Sequence, residues 1–104
     1  MVKVIYYVRT NDKDTLKPKL YKRDFIKLFD EIFKNYTLVE AISKYTNNNK
    51  ETIEELSLIV ITFIEEYTVT ALKQHIQHNC SILKDKLNQE SILVDVCKPE
   101  VMFL

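Results

Sequence analysis

No glycine occurs among the 104 residues, although average usage would place about seven in a chain of this length. Glycine enters left-handed backbone at no steric cost, so tight turns and helix ends must be built here by other means. Asparagine tolerates that region next best, and Asn35, Asn47, Asn48, Asn49 and Asn88 fall where element ends are expected. The same absence excludes two nucleotide-binding devices. Dinucleotide fingerprints and P-loops bring backbone against phosphate at positions that only glycine fills without strain.

Residues with A- and T-rich codons (Ile, Lys, Asn, Tyr and Phe) are abundant, whereas Ala, Pro and Arg are scarce at two each. This bias points to an AT-rich coding source, with viruses, phages and low-GC bacteria foremost. With 46% hydrophobic and 29% charged residues, the composition is that of a soluble globular chain, far from the disordered regime. One domain spanning residues 1–104 is expected, long enough to remove roughly two thirds of its unfolded surface from water. The longest uncharged apolar run, "LSLIVITFI" at 56 to 64, lies between glutamate pairs and is far below the roughly 20 residues of a membrane span. With no secretory pattern either, the expectation is a soluble, intracellular (cytoplasmic or host-cytoplasmic) protein that meets no membrane, its two cysteines remaining thiols.

The formal charge is zero but unevenly laid out. Residues 1–27 carry eight Lys/Arg against three Asp, and residues 28–66 carry three Lys against eight Asp/Glu. Such a layout suits an acidic partner at one end or self-association.

Positions 2 to 9, "VKVIYYVR", mix β-branched and aromatic residues, with apolar side chains on both faces, and predict an inner strand. "TNDKDTLKPK" reads as a loop. From about Asp24 to Tyr36, Phe25, Leu28, Phe29, Ile32, Phe33 and Tyr36 recur at helical spacing. Thr37 with Glu40 forms a capping box for a short second helix through Leu38, Ala41, Ile42 and Tyr45, which "NNN" at 47 to 49 ends. Thr52 with Glu55 forms another, predicting a third helix from near residue 50 towards Tyr67. The cap and flanking glutamates favour helix there over the competing strand at Leu56 to Ile64. After a break at "YTVT", a last helix runs from about Thr70 to Asn88 on a stripe of Val69, Leu72, Ile76, Leu83 and Leu87, capped by Asn88. "SILVDVC" at 91 to 97 makes a final strand. The predicted fold class is therefore α+β: a mainly helical single domain, β-α-α-α-α-β, with the N- and C-terminal strands paired in a small sheet.

"HIQHNC" at 75 to 80 gathers both histidines and one cysteine, the weak candidates for metal ligation being His75 and His78. On a helix, however, His75 and His78 lie roughly 60° apart while Cys80 lies about 160° from His78. The three cannot meet on one ion, and only Cys97 with Asp95 is left to complete a set, so neither metal nor cofactor is expected. Cys80 or Cys97 with His75 is the one cysteine–histidine pairing on offer for nucleophilic catalysis, and no third group is fixed beside it. The pairs Glu54/Glu55 and Glu65/Glu66 read as solubilising charge around a hydrophobic run.

"LKPKLYKR" interleaves Lys17, Lys19, Lys22 and Arg23 with Tyr21, a combination that can track phosphates and stack on a base. Six tyrosines also exceed what a small core needs, and tyrosine is a favoured interface anchor. By elimination the reading is a small non-enzymatic accessory or inhibitor protein of viral, phage or mobile-element origin, which binds a protein partner through Lys17, Lys19, Tyr21, Lys22 and Arg23. Its outer sheet edge or its C-terminal tail would serve a homodimer. A nucleic-acid-binding regulator using residues 16–23 is the first alternative, and a small metal-dependent or thiol enzyme the second. His75, if partly buried beside the acidic middle segment, would make an interface pH-sensitive.

Overall fold

A computed structural model describes residues 1–11, 21–65 and 68–98. Strand β1 (Val2–Arg9) forms as its composition dictates, and helix α1 (Lys22–Ile32) follows. Strands β2 (Thr37–Thr46) and β3 (Thr52–Ile64) come next, then helix α2 (Val69–Leu87) and strand β4 (Leu93–Cys97). The four strands make one antiparallel sheet in the order β2-β3-β1-β4. Each helix connects two strands that lie apart with a third between them, which is the split β-α-β arrangement of ferredoxin-like folds.

The mainly helical β-α-α-α-α-β fold is thereby corrected. Residues predicted as the second and third helices are the hairpin β2–β3, paired without a break from Thr37↔Ile61 to Thr46↔Thr52. Neither Thr37/Glu40 nor Thr52/Glu55 caps a helix. The reason is tertiary: β3 lies between β2 and β1, and its branched side chains, apolar on both faces, fit an inner strand of a sheet that carries helices on one side. "NNN" is the hairpin turn. The Asn47 side chain accepts from Asn49 N (3.0 Å) and Glu51 N (2.9 Å), while Lys50 takes the positive φ of 60° that glycine would ordinarily supply.

Other expectations hold. β1 is an inner strand and pairs with β4, from Lys3↔Cys97 to Tyr7↔Leu93. Asn88 ends α2 in left-handed backbone (φ 49°), and Thr68 caps its start by accepting from Ala71 N. α1 ends four residues short of Tyr36, yet Phe33 and Tyr36 still pack with Phe29 in a ring cluster that includes Tyr6.

Both helices cover one face of the sheet. Val2, Val4, Tyr6 and Val8 of β1, with Leu58 and Val60 of β3, meet Phe25, Leu28 and Phe29 of α1 and Leu83 and Leu87 of α2 in one buried cluster. Val69, placed on the apolar stripe by spacing, is instead exposed, and the stripe's buried polar member is Asn79, which donates to the hydroxyl of fully buried Tyr6 (3.1 Å). Burial raises the Tyr6 pKa, with Asn79 opposing and Cys80 adding to the shift. The alternate residues of the strands, Lys3, Ile5, Tyr7 and Arg9 among them, lie on the opposite, open face.

Candidate active site on the open face of the sheet

At the Arg9 end of the open face, three strands contribute polar residues that their pleat aligns. Register places Arg9 opposite Ser57 on β3, Ser57 opposite Ala41 on β2, and Glu55 opposite Ser43. Arg9 Nε donates to Glu55 Oε1 at 2.5 Å, and another Arg9 nitrogen donates to the Tyr45 hydroxyl at 2.7 Å, with the guanidinium 5.1 Å from the Tyr45 ring centre. The Ser43 and Ser57 hydroxyls share a hydrogen bond of 2.7 Å. Tyr7, Lys44, Ser91 and Leu93 complete the wall of a cleft of about 370 Å³, within the range typical of small-molecule sites.

Glu55 is the unusual member. Its side chain is only 2% exposed, and while Oε1 is bonded to Arg9, Oε2 is buried with no hydrogen-bond partner among the described residues. An orphaned carboxylate oxygen of this kind costs about 1–3 kcal/mol, a cost that a ligand with a hydrogen-bond donor removes. Burial works against the charge on Arg9, but the hydrogen bond and negative charge of Glu55, aided by Tyr45, outweigh it and raise the guanidinium pKa further. The cleft therefore holds the permanent cation of Arg9, a lysine at its wall, a carboxylate with one free oxygen, three serines and two tyrosine rings.

The partner-binding and metal candidates read from the sequence, where they are described, lie elsewhere. Lys17 and Lys19 fall outside the described residues. Tyr21 is the N-cap of α1 and 76% exposed, Lys22 is ion-paired to Glu40, and Arg23 sits 5.7 Å from the Tyr21 ring centre, all on the helix-bearing side. On α2, His75 and His78 are exposed and Cys80 is half-buried against the core, its thiol pKa raised by burial, with Lys84 opposing. Asn79 Nδ2 lies 3.4 Å from His75 Nε2. Cys97 is exposed on β4, on the open face, opposite Lys3. Among the described residues no three His, Cys, Asp or Glu side chains gather as a metal site would require. Sequence reading missed Arg9, Ser43 and Ser57, and it assigned Glu55 to a helix cap. The signal that could have exposed the cleft is the alternation of Glu55 and Ser57 in a strand, which the helix reading hid.

No family model matches the chain, and no curated protein matches it. Solved structures do. One is a phage SAM lyase in complex with S-methyl-5′-thioadenosine, 20% identical over 93% of this chain and 80% of that one, with a TM-score of 0.71. Another is a phage SAM lyase in the apo state, 21% identical over 92% and 78%, with a TM-score of 0.74. Both are structures of an enzyme. At this level of identity the likeness is one of fold, yet it overturns the expectation of a non-enzymatic protein-binding accessory or inhibitor, which rested only on a missing catalytic constellation. The phage origin of the neighbours agrees with the source suggested by the codon bias. No helix among the described residues is long and apolar enough to cross a membrane.

Proposed function

We propose that the protein is a lyase that cleaves S-adenosylmethionine, with the open-face cleft as its substrate site. The observation that carries this reading is the free, buried Oε2 of Glu55 between Arg9 and the hydroxyls of Ser43 and Ser57, in a fold shared with phage SAM lyase. A ligand that satisfies Oε2 must bring donors, and the ribose hydroxyls and α-ammonium group of S-adenosylmethionine are donors. Its sulfonium adds a positive charge, which a carboxylate and a tyrosine face both attract. The Arg9 guanidinium suits the ligand's carboxylate, and the Tyr7 and Tyr45 rings offer surface for the adenine.

Breaking the bond between Cγ and sulfur sends its electron pair to the sulfonium, which leaves as the neutral thioether S-methyl-5′-thioadenosine. A lyase step takes up no water, so the remaining fragment supplies the replacement electrons. Either its own carboxylate oxygen closes a five-membered ring on Cγ, or a β C–H pair forms a double bond as the proton passes to a base. The leaving group needs no protonation. The demand on the protein is then to hold the substrate in a reactive conformation and keep water from Cγ, rather than to provide a nucleophile.

Incubation with S-adenosylmethionine, with chromatographic detection of S-methyl-5′-thioadenosine, tests the reading. Product release that falls about tenfold or more in Glu55→Gln is the expected result, since a hydrogen bond to a charged group is worth roughly 1.5–3 kcal/mol. A wild-type protein that neither turns over nor binds S-adenosylmethionine by calorimetry would overturn it.

A further inference from the structure

Strand β3 outruns one of its neighbours. It pairs with β1 as far as Val2↔Ile64, but β2 begins at Thr37↔Ile61, so among the described residues 62–64 have no strand on their β2 side. Residues 33–36 connect α1 to β2 beside that overhang, and the notch between them is a cavity of about 580 Å³, larger than the open-face cleft. Phe63 lies eight residues along β3 from Glu55, which is about 26 Å of extended strand, so the two cavities are separate.

The walls of this cavity differ in kind. Ile32, Phe33 and Ile64 supply an apolar floor, and Thr62 beside them is buried with its hydroxyl donating to Val4 O (3.0 Å). The charged groups stand on the exposed rim: Lys34 on the connection from α1, and Glu65 at the end of β3, with His75 of α2 forming a third side. Among the described residues, the Lys34 and Glu65 side chains pair neither with each other nor with a third group. A cation and an anion held apart over an apolar floor match a ligand that carries both charges and a hydrocarbon side chain.

We propose that this cavity binds a zwitterion of the apolar α-amino acid type, a free amino acid or a dipeptide. Lys34 receives its carboxylate and Glu65 its ammonium group, while its side chain covers Ile32, Phe33 and Ile64 and withdraws them from water. The unpaired edge of residues 62–64 adds backbone donors and acceptors, which a peptide unit can meet as a further strand would. That edge matches a dipeptide in length, and the cavity volume lies within the range of small-ligand sites. Neither the proposed lyase activity nor any residue of the open-face cleft enters this assignment.

Calorimetric titration with L-leucine, L-methionine and L-leucyl-L-leucine tests it, with the N-acetyl and C-terminal amide forms of each as controls. The free ligands are expected to bind, and either block weakens binding about threefold or more, the scale of a charge pair at an exposed rim. Lys34→Gln weakens the free ligand by a similar factor and leaves the amide form unchanged. Glu65→Gln does the same and leaves the N-acetyl form unchanged. Both side chains are exposed, and circular dichroism melting verifies that the variants stay folded. Backbone amide NMR shifts on titration are expected at residues 33–36 and 62–65 and near His75, and not at Arg9, Glu55 or Ser57. Absence of binding at millimolar ligand, binding indifferent to both blocks and both substitutions, or shifts confined to the open-face cleft would each refute the assignment.

Discussion

Glu55 shows how one side chain can be costly to the fold and useful to the site. Its Oε1 is bonded to Arg9 and its Oε2 to nothing described, so Arg9 is the group that makes burial of the carboxylate tolerable. Removing that partner leaves an uncompensated buried charge, so Arg9→Ala is expected to lower stability by about 1–3 kcal/mol in urea unfolding. A loss below about 0.5 kcal/mol would mean that Glu55 is better solvated than its 2% exposure indicates. Tyr36 gives a second readout at this scale. Burial, then its hydrogen bond to Asp30 (2.7 Å) and that residue's negative charge, push its pKa from 10.0 to about 12. Below pH 10 the phenol is protonated in both folded and unfolded chains and its contribution is complete. As the pH rises towards 12 the unfolded chain gives up the proton first, and stability falls. Thermal melting should show this decline in the wild-type chain and a shallower one in Tyr36→Phe, together with the loss of a phenolate absorbance step near pH 12.

At the scale of elements, the sequence was most legible where local and tertiary preferences agree. β1, α2 and the Asn88 cap follow from pattern alone, because alternation, amphipathic spacing and a left-handed terminus each leave a local trace. The β2–β3 hairpin left a misleading one. Thr52 and Glu55 have the spacing of a capping box, but in a strand that spacing puts them on opposite faces, and Glu55 points to Arg9 rather than to a helix N-terminus. The absence of glycine deepened the ambiguity, since the turn between the strands carries no Asn-Gly or Asp-Gly signal and uses Lys50 in left-handed backbone. The Asn47 side chain holds that turn through two backbone donors, so Asn47→Ala should destabilise the chain by about 1 kcal/mol, measured by urea unfolding. An Asn47→Ala variant as stable as the wild-type chain would mean that this side chain does not hold the turn.

For the molecule as a whole, the order of the strands is what assembles the cleft, and that order was not legible. Sequence reading paired the terminal strands correctly but could not see that β3 inserts between β1 and β2, bringing Glu55 and Ser57 beside Arg9. The run at 56 to 64 is apolar on both sides because one side meets the helices and the other forms the open face with Ile5 and Tyr7, a burden that a buried helix would carry equally well. The topology makes a ranking of stability across the sheet. β1 is bonded on both sides, by β3 and β4, and its Val4, Tyr6 and Val8 side chains are fully buried, whereas β4 is short, lies at an edge and is mostly exposed. Opening of β1 requires loss of the whole core, while β4 can detach alone. Native-state hydrogen exchange should therefore protect the amides of β1 and of β3 from Leu58 to Thr62 to the limit set by global unfolding, with Val94 to Val96 exchanging at least about tenfold faster. Equal protection in β4 and β1 would contradict this order, since it would require β4 to be as deeply tied into the molecule as the strand it flanks.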